Sequence, residues 1–139
     1  MAPEVLNGLL RRVPNMRPAV LDGFARWRIP GVDFPAVVRT DGTRTDGLLL
    51  EGLDEREMSA LDYYEDDGYD RLLVEIEATD KRERCEASVY AWPKERVHQL
   101  SVGQAWSYEE WREVHCSAFV RDVVEPCRDA FEAESGGPP

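Results

Sequence analysis

The sequence is poor in basic residues and has no long apolar run. Among its 139 residues, 17 Lys and Arg stand against 28 Asp and Glu, which gives a net charge of −11. Nucleic acids and anionic membrane surfaces are bound through basic patches, so we expect neither as a partner. No apolar stretch approaches the roughly 20 residues of a membrane span, and residues 1–6 lack the layout of a signal peptide. These absences predict a cytoplasmic protein.

Cysteine is also scarce, and no motif for a metal or a nucleotide is present. The three cysteines, Cys85, Cys116 and Cys127, form no Cys-x-x-Cys pair, so a disulfide framework or a zinc site is not expected. The sequence has no glycine-rich phosphate loop. An acidic turn fails as a calcium loop, because counting Gly68 as the sixth position puts Tyr63 first, where an aspartate ligand is required. We therefore expect no metal and no cofactor.

The apolar spacing predicts a mixed α+β domain over residues 1–133, followed by a loose tail over residues 134–139. A short helix is predicted from Pro3 and a second from Asp54, and the longest covers about residues 107–125, with Pro126 expected to stop or kink it. Asp41-Gly42 is expected to close one hairpin and residues 79–82 a second. The predicted strands cover residues 17–29, 34–40, 45–53, 69–78 and 84–92.

One carboxylate, Glu65, is distinctive because the apolar spacing directs it inward. Asp54, with Glu57 three residues later, resembles a capping box that starts an amphipathic helix. On that helix Met58, Leu61 and Glu65 lie at i, i+3 and i+7 and so share a face. Burial, the helix C-terminus and nearby aspartates would all raise the pKa of Glu65 toward neutrality, as a general acid/base needs. Glu65 is therefore the candidate catalytic residue.

Two further interpretations stay open on the residues alone. In the alternative interpretation, Glu65 is an exposed glutamate in a solvated acidic turn and is paired with Arg71. Trp92, Trp106 and Trp111 fit an aromatic ligand platform, but aromatic residues near a helix start or a strand end more often serve core packing.

Six short motifs occur in order along the chain and carry a family resemblance. They are Pro3-Glu4-Val5-Leu6, Arg17-Pro18-Ala19-Val20-Leu21-Asp22-Gly23-Phe24, Phe34-Pro35-Ala36-Val37-Val38, Asp46-Gly47-Leu48-Leu49-Leu50-Glu51-Gly52-Leu53, Leu61-Asp62-Tyr63-Tyr64-Glu65 and Val89-Tyr90-Ala91-Trp92. Together they resemble the gamma-glutamylcyclotransferase-like family, in particular its gamma-glutamylamine cyclotransferase and avirulence-induced-gene branch. The resemblance covers about residues 3–92, and residues 106–111 are similar to the C-terminal helix of that branch.

The resemblance implies a small, mixed, barrel-like sheet with helices packed around a cavity. It also implies a cofactor-independent acyltransferase: the α-amine of a γ-glutamyl amine or peptide attacks its own γ-carbonyl, which gives 5-oxoproline and a free amine. The glutamate of the family's Leu-Asp-x-Phe-Glu motif is Glu65 here, with Tyr64 in place of phenylalanine, and its role is general acid/base. Phe34, Pro35 and Tyr69 lie beside family motifs and are expected to form walls of the substrate pocket.

The sequence departs from the family in two places. The family's Tyr-Gly-Thr-Leu strand motif does not precede Pro3, and Asp66 replaces the glycine that follows the glutamate. Backbone groups of the Tyr-Gly-Thr-Leu turn help to hold the substrate and its developing oxyanion. The alternative function is thus that of a catalytically impaired or truncated relative, acting as a small-molecule or protein binding module. Loss of a strand is also expected to leave an unpaired sheet edge, prone to dimerisation or aggregation.

Overall fold

The computed structural model describes residues 1–32 and 34–135, with only the backbone described for Asp67, and it comprises two compact units. One unit is helical and contains Met1–Asn15, Glu51–Asp66 and the chain from Tyr108 onward. The other contains Met16–Leu50 and Asp67–Ser107 and holds the sheet. The predicted α+β fold class is confirmed, whereas one domain over residues 1–133 stays a prediction.

Short helices make up the first unit. They are α1 (Pro3–Leu10), α2 (Glu55–Glu65), α3 (Tyr108–Val114), α4 (Cys116–Phe119) and α5 (Glu125–Glu134), and a π-turn, Val120–Val124, lies between α4 and α5. Pro3 occupies the first turn of α1, where its missing N–H removes no hydrogen bond. The apolar stripe predicted for this helix is buried, with Leu6 at 0% exposure.

Helix α1 packs closely on the π-turn through a glycine. A Cβ added at Gly8 would lie 3.1 Å from Cγ1 of Val124 and 3.3 Å from Cγ1 of Val120. These distances are tighter than ordinary van der Waals contact, so the absence of a side chain at position 8 lets the two segments approach. Arg128 reinforces the contact by donating from Nη1 to the Gly8 carbonyl oxygen at 3.2 Å.

The C-terminal helical segment differs from the prediction. It continues through Pro126 to Glu134, so the expected end near residue 125 is wrong. Proline lacks an N–H and crowds the carbonyl group four residues earlier, and the π-turn directly before it widens the backbone where that crowding would occur. The helix therefore continues. The predicted loose tail begins too early, because α5 includes Glu134, and residues 136–139 lie outside the described residues.

The second unit is built on a five-stranded sheet. Its strands are β1 (Asn15–Arg28), β2 (Pro35–Glu51), β3 (Asp70–Ala78), β4 (Glu83–Ala91) and β5 (Ser101–Ala105). They lie in the order β2-β1-β3-β4, and β5 pairs with β1. Two 3-10 segments, Asp66–Gly68 and Lys94–Gln99, precede β3 and β5, and the sequence analysis did not predict β5.

The hairpin predicted at Asp41-Gly42 is wrong, because β2 continues through it as one 17-residue strand. Gly42 has a φ of +80°, which glycine adopts readily, and so does Gly23 in the neighbouring β1. Beyond the glycine, Thr45 Oγ1 donates to the Phe24 carbonyl oxygen at 2.7 Å and ties β2 to β1. Pairing with a distant strand thus overrides the local turn preference.

The ladders on the two sides of β3 have very different lengths. Toward β4 the strand pairs antiparallel over all nine of its residues, which confirms the second predicted hairpin. Toward β1 it pairs through two positions, Ala19 opposite Ala78 and Val20 opposite Glu77. β1 then leaves β3 and pairs with β5 around Trp27.

Apolar side chains of β1, β3 and β4 form one core of the sheet unit. Its buried members are Ala19, Leu21, Phe24, Ile76 and Ala91, with half-buried neighbours such as Leu72 and Val74 packed against them. A second cluster joins the start of β2 to the end of β4: its buried members are Ala36, Val38, Trp92 and Leu100.

Candidate active site

Helix α2 carries Glu65 as its last residue, and its first turn is firmly held. The predicted capping box is present: Asp54 Oδ1 accepts from the Glu57 N–H at 2.8 Å, and Glu57 Oε1 accepts from the Asp54 N–H at 3.1 Å. Arg12 Nε lies 2.6 Å from Glu57 Oε2, and its Nη2 donates to the Gly52 carbonyl oxygen at 3.0 Å. These bonds fix where the 11-residue helix begins and hence where it delivers Glu65.

The Glu65 carboxylate is half-buried and has no polar partner in residues 1–32 and 34–135. It shares its helix face with half-buried Met58 and with Leu61, which is 3% exposed. Burial raises the pKa of Glu65 to about 7, while the α-ammonium group of Met1 acts in the opposite direction. The inward orientation predicted from the spacing is therefore found, and the alternative of a fully solvated glutamate paired with Arg71 is wrong.

Fewer causes raise the pKa of Glu65 than the sequence predicted. Repulsion from neighbouring carboxylates was expected to contribute, but burial alone accounts for the upward shift of Glu65. A carboxyl group with a pKa near 7 is present in both protonation states at neutral pH. Chemically, this group can accept a proton from a substrate and return it within one reaction cycle.

The residue after Glu65 has an unusual backbone conformation. Asp66 has a φ of +56° and a ψ of −163°, and its N–H donates to the Asp62 carbonyl oxygen as α2 ends. This positive φ favours glycine, because a side chain there crowds the backbone. The departure noted in the sequence, aspartate in place of glycine, thus falls on a position whose geometry suits glycine.

In the sheet unit, Tyr69 belongs to an aromatic and cationic cluster. Its ring meets the Trp92 ring edge-on with centroids 5.6 Å apart, and Arg96 Cζ lies 4.3 Å from the centroid of the Trp92 ring. Trp92 Nε1 donates to the Arg96 carbonyl oxygen at 2.7 Å, and Arg96 Nη1 donates to the Gly68 carbonyl oxygen at 3.0 Å. Trp92 is 8% exposed, which supports core packing over a free ligand platform for this residue.

Sequence reasoning missed Arg96. The signal available was its spacing of four residues after Trp92, which is too common to identify a contact. What fixes Arg96 is a hydrogen bond to the Gly68 carbonyl, 28 residues away in sequence.

Phe34 and Pro35, the other predicted pocket walls, lie at the start of β2. Phe34 is 38% exposed, and Pro35 is half-buried at the first position of the strand. The next residue, Ala36, is fully buried in the cluster around Trp92, against which Tyr69 also packs. The structure thus places Tyr69 and the beginning of β2 around one apolar cluster, while Glu65 belongs to the helical unit. Their role as substrate contacts stays a prediction.

A separate cavity of about 180 Å³ lies in the helical unit between α1, α2 and α5. Its lining is Leu9, Leu10, Arg12, Asp54, Arg56, Glu57, Ala60, Arg128, Phe131 and Glu132. Glu65 is not among these residues. The charged groups at its rim bind each other or nearby residues, as in the Arg12–Glu57 pair and in the bond of Arg11 Nε to Glu132 Oε1 at 2.6 Å.

Metal ligands and membrane-spanning helices are two further features that would indicate the kind of site. Within the part of the chain that the structure describes, no group of three or more His, Cys, Asp or Glu residues is placed to hold a metal ion. Over the same residues, no helix is both long enough and apolar enough to cross a membrane.

Sequence comparison identifies relatives over most of the chain. A model of the family described as gamma-glutamyl cyclotransferase, AIG2-like, matches residues 1–113. AIG2-like protein C of Arabidopsis thaliana is 40% identical over 119 residues, which are 85% of this chain and 67% of that protein. AIG2-like protein D of the same plant is 32% identical over 126 residues, or 90% of this chain and 82% of that protein.

Solved structures show the same relationship. The solution structure of one Arabidopsis thaliana protein is similar with a TM-score of 0.64 and 29% identity, over 97% of this chain and 78% of that chain. A second solution structure from this plant gives a TM-score of 0.65 and 30% identity, over 86% of this chain and 79% of the other.

Proposed function

The chain belongs to the gamma-glutamyl cyclotransferase, AIG2-like family, and on that basis we propose that it cyclises a γ-glutamyl amine or peptide to 5-oxoproline, with Glu65 as general acid/base. The observation that supports this most is the state of Glu65. It is a half-buried carboxylate without a polar partner among the described residues, with a pKa raised to about 7. The motif resemblance assigns the role of the family's catalytic glutamate to this residue. No cofactor is needed for the reaction.

The proposed reaction moves two protons and exchanges one C–N bond for another. Glu65 accepts a proton from the substrate's α-ammonium group, and the freed α-amine attacks the γ-carbonyl carbon. The tetrahedral intermediate collapses by breaking the original amide C–N bond, and Glu65 returns its proton to the departing nitrogen. Closure of the lactam releases the second proton of the ammonium group, so the products at neutral pH are 5-oxoproline and an alkylammonium ion.

The electrostatics of the site suit this exchange. A general base works best when its pKa lies near the working pH, which is where burial places that of Glu65. The charge of the Met1 α-ammonium lowers the pKa of Glu65, and a bound substrate ammonium group would act in the same direction. Substrate binding would thus favour the carboxylate form that must accept the proton.

The proposed walls of the substrate pocket are uncharged. Phe34, Pro35 and Tyr69 offer apolar and aromatic surface but no charge, so they suit the methylene chain of a γ-glutamyl group better than its carboxylate. Tyr69 is also held in place by its edge contact with Trp92. We propose these three residues as pocket walls on the strength of their neighbouring motifs.

The test is release of 5-oxoproline from a panel of γ-glutamyl amines and γ-glutamyl dipeptides. We expect Glu65→Gln to lower kcat by about 10²- to 10⁴-fold, the usual contribution of a positioned acid/base. Glu55→Gln is the matched control, because Glu55 is exposed in the first turn of the same helix. It should leave turnover unchanged. A folded wild-type chain that releases no 5-oxoproline from any member of the panel would favour the binding-module alternative. A Glu65→Gln variant as active as the wild type would show that Glu65 is not the acid/base.

A further inference from the structure

One aromatic ring of α5, that of Phe131, packs on α2 at two places. Phe131 is 6% exposed. Its ring centroid lies 5.6 Å from that of Tyr63, in an edge-on contact, and 5.5 Å from Cζ of Arg56. Arg56 and Tyr63 are seven residues apart and share a face of α2, with the small side chain of Ala60 between them. The Phe131 ring thus contacts both the first and the last turn of α2.

Helix α5 is itself fixed to the helical unit on both sides of Phe131. Arg11 donates from Nε to Glu132 Oε1 at 2.6 Å and from Nη2 to Glu132 Oε2 at 3.0 Å, a two-point pair of defined orientation. Three residues before Phe131, Arg128 binds the Gly8 carbonyl oxygen. The ring therefore belongs to a helix with its own anchors, which can hold α2 in position.

The contact with Tyr63 supports the end of α2 that is least stable by itself. The last turn of a helix has carbonyl groups without partners inside the helix, and it frays where no tertiary contact holds it. Tyr63 lies in that turn. Partial burial and the nearby Glu134 carboxylate of α5 raise the pKa of Tyr63, so its hydroxyl group also lies beside α5. Glu65 follows two residues later as the final residue of the same turn.

Holding Tyr63 also fixes the direction in which Glu65 points. Successive residues of an α-helix are rotated by about 100°, so Tyr63 and Glu65 lie about 160° apart around α2. One side of α2 therefore packs on Phe131, and the opposite side carries the half-buried carboxylate. A rotation or fraying of the last turn would move Glu65 out of its buried position.

We propose that Phe131 is a positioning residue, which acts through Tyr63 to hold the last turn of α2 and so keeps Glu65 buried and correctly directed. The catalytic consequence rests on the proposed function of Glu65. Helix α5 begins at Glu125, beyond residues 1–113 that the family model matches. The support for the candidate base thus comes from a segment outside the matched region.

The first test follows the Glu65 carboxyl group by NMR titration of the full chain with ¹³C-labelled glutamate, in which Glu65→Gln identifies the signal. Phe131→Leu keeps apolar bulk but loses the edge contact. Water should then reach the carboxylate and lower its pKa from about 7 to about 6 or below. Phe131→Tyr keeps the ring and should keep the wild-type value. Val124→Ala is the matched control, because Val124 is also buried in the C-terminal segment but lies against Gly8 of α1.

Tyr63→Leu removes the same contact from the other helix and decides the question if Phe131→Leu does not fold. It should lower the pKa of Glu65 equally, and the double variant should lower it no further, because both single changes remove one interaction. In either variant kcat for 5-oxoproline release should fall about tenfold with little change in KM, since a displaced base loses transition-state stabilisation without weakening substrate binding.

Three results would overturn the proposal. The first is a Glu65 pKa that stays near 7 in Tyr63→Leu and in folded Phe131→Leu, and the second is an equal fall in Val124→Ala. The third is an unchanged kcat in variants of an active enzyme in which the Glu65 pKa has fallen. A wild-type chain that releases no 5-oxoproline rejects the proposed function alone, because the titration does not depend on turnover.

Discussion

Two of the glutamates on helix α2, Glu57 and Glu65, have surroundings that shift their pKa values in opposite directions. Glu57 accepts the capping bond from Asp54 and binds Arg12, and the Arg12 hydrogen bond lowers the pKa of Glu57. Glu65 has neither a cap nor an arginine among the described residues, and burial raises its pKa to about 7. The residue type and the helix are the same. The difference teaches that a glutamate becomes a candidate base through the absence of partners as much as through burial.

The largest expected effect is on the pH dependence of turnover, which separates the two glutamates directly. If Glu65 is the base, kcat/KM should fall about tenfold for each pH unit below 7 and level off above it, because only the carboxylate accepts a proton. Glu57→Gln should keep the same midpoint. Initial rates of 5-oxoproline release across a pH series measure this midpoint. A midpoint near 4.5, the ordinary value for glutamate, would contradict the assignment of Glu65 as the base.

The next effect is on folding stability and has an unusual sign. A pKa raised from 4.5 to about 7 means that stability is full below pH 4.5 and is lost as pH rises through 7, because the folded state holds the charge poorly. Glu65→Gln removes that charge, so the variant should be the more stable by about 3 kcal/mol at pH 8 and about 1.5 kcal/mol at pH 5.5.

Urea unfolding of wild type and variant at those two pH values measures this difference. Glu55→Gln, on the exposed first turn of α2, should show no such growth with pH. Equal stability of wild type and Glu65→Gln at high pH would mean that the folded state solvates the Glu65 charge fully.

A smaller effect concerns the backbone beside Glu65. Asp66→Gly should stabilise the fold by about 1 kcal/mol, because glycine adopts the φ of +56° without crowding. The pH midpoint of Glu65 should stay near 7, since burial and not repulsion from Asp66 sets it. Asp62→Gly inside α2 is the control and should lose about 0.3 kcal/mol, because aspartate is itself a poor helix former. A midpoint that drops in the Asp66→Gly variant would show that like charge matters after all.

The smallest effect comes from the other glutamate. Glu57→Gln keeps a side chain able to cap the helix but loses the charge that binds Arg12, so we expect a loss of about 0.5–1 kcal/mol at neutral pH. Because the pKa of Glu57 is lowered, this contribution is present above pH 4.5 and fades as pH falls. Chemical denaturation of the wild type and of Glu57→Gln, at neutral pH and below pH 4.5, measures this loss at each pH. A loss that grows on acidification would rule out the ion pair as its cause.

Local signals predicted the parts of the site that depend on neighbours in sequence. The capping box of Asp54 and Glu57 and the shared face of Leu61 and Glu65 depend on spacings of three and four residues within one helix, and all are found. The spacing could not predict that Glu65 lacks a polar partner among the described residues, because this depends on which distant side chains fold near it.

Two of the errors come from pairing between distant segments, and one comes from an irregular helical turn. Asp41-Gly42 is a good turn locally, yet a long ladder partner, β1, keeps β2 extended through it. Pro126 is a good helix stop, yet the π-turn before it accommodates the ring. The sequence did not predict the role of Arg96, because the carbonyl group that it binds, on Gly68, lies 28 residues away. The pairing of β2 with β1 and the bond of Arg96 to Gly68 depend on contacts that no short window of sequence contains.

The π-turn Val120–Val124 also has a consequence for how the chain tolerates changes in length. Such a turn holds one more residue than an α-helical turn, so a single deletion within it can be absorbed by tightening the helix, at the cost of the widened backbone that accommodates Pro126. Phe131 would then keep its edge contact with Tyr63, at 5.6 Å between centroids, and its place under Arg56. The same deletion inside α5 would swing Phe131 by about 100° around the helix axis. A deletion in Val120–Val124 therefore preserves the contacts of Phe131 and strains the backbone at Pro126, whereas a deletion inside α5 before Phe131 loses those contacts.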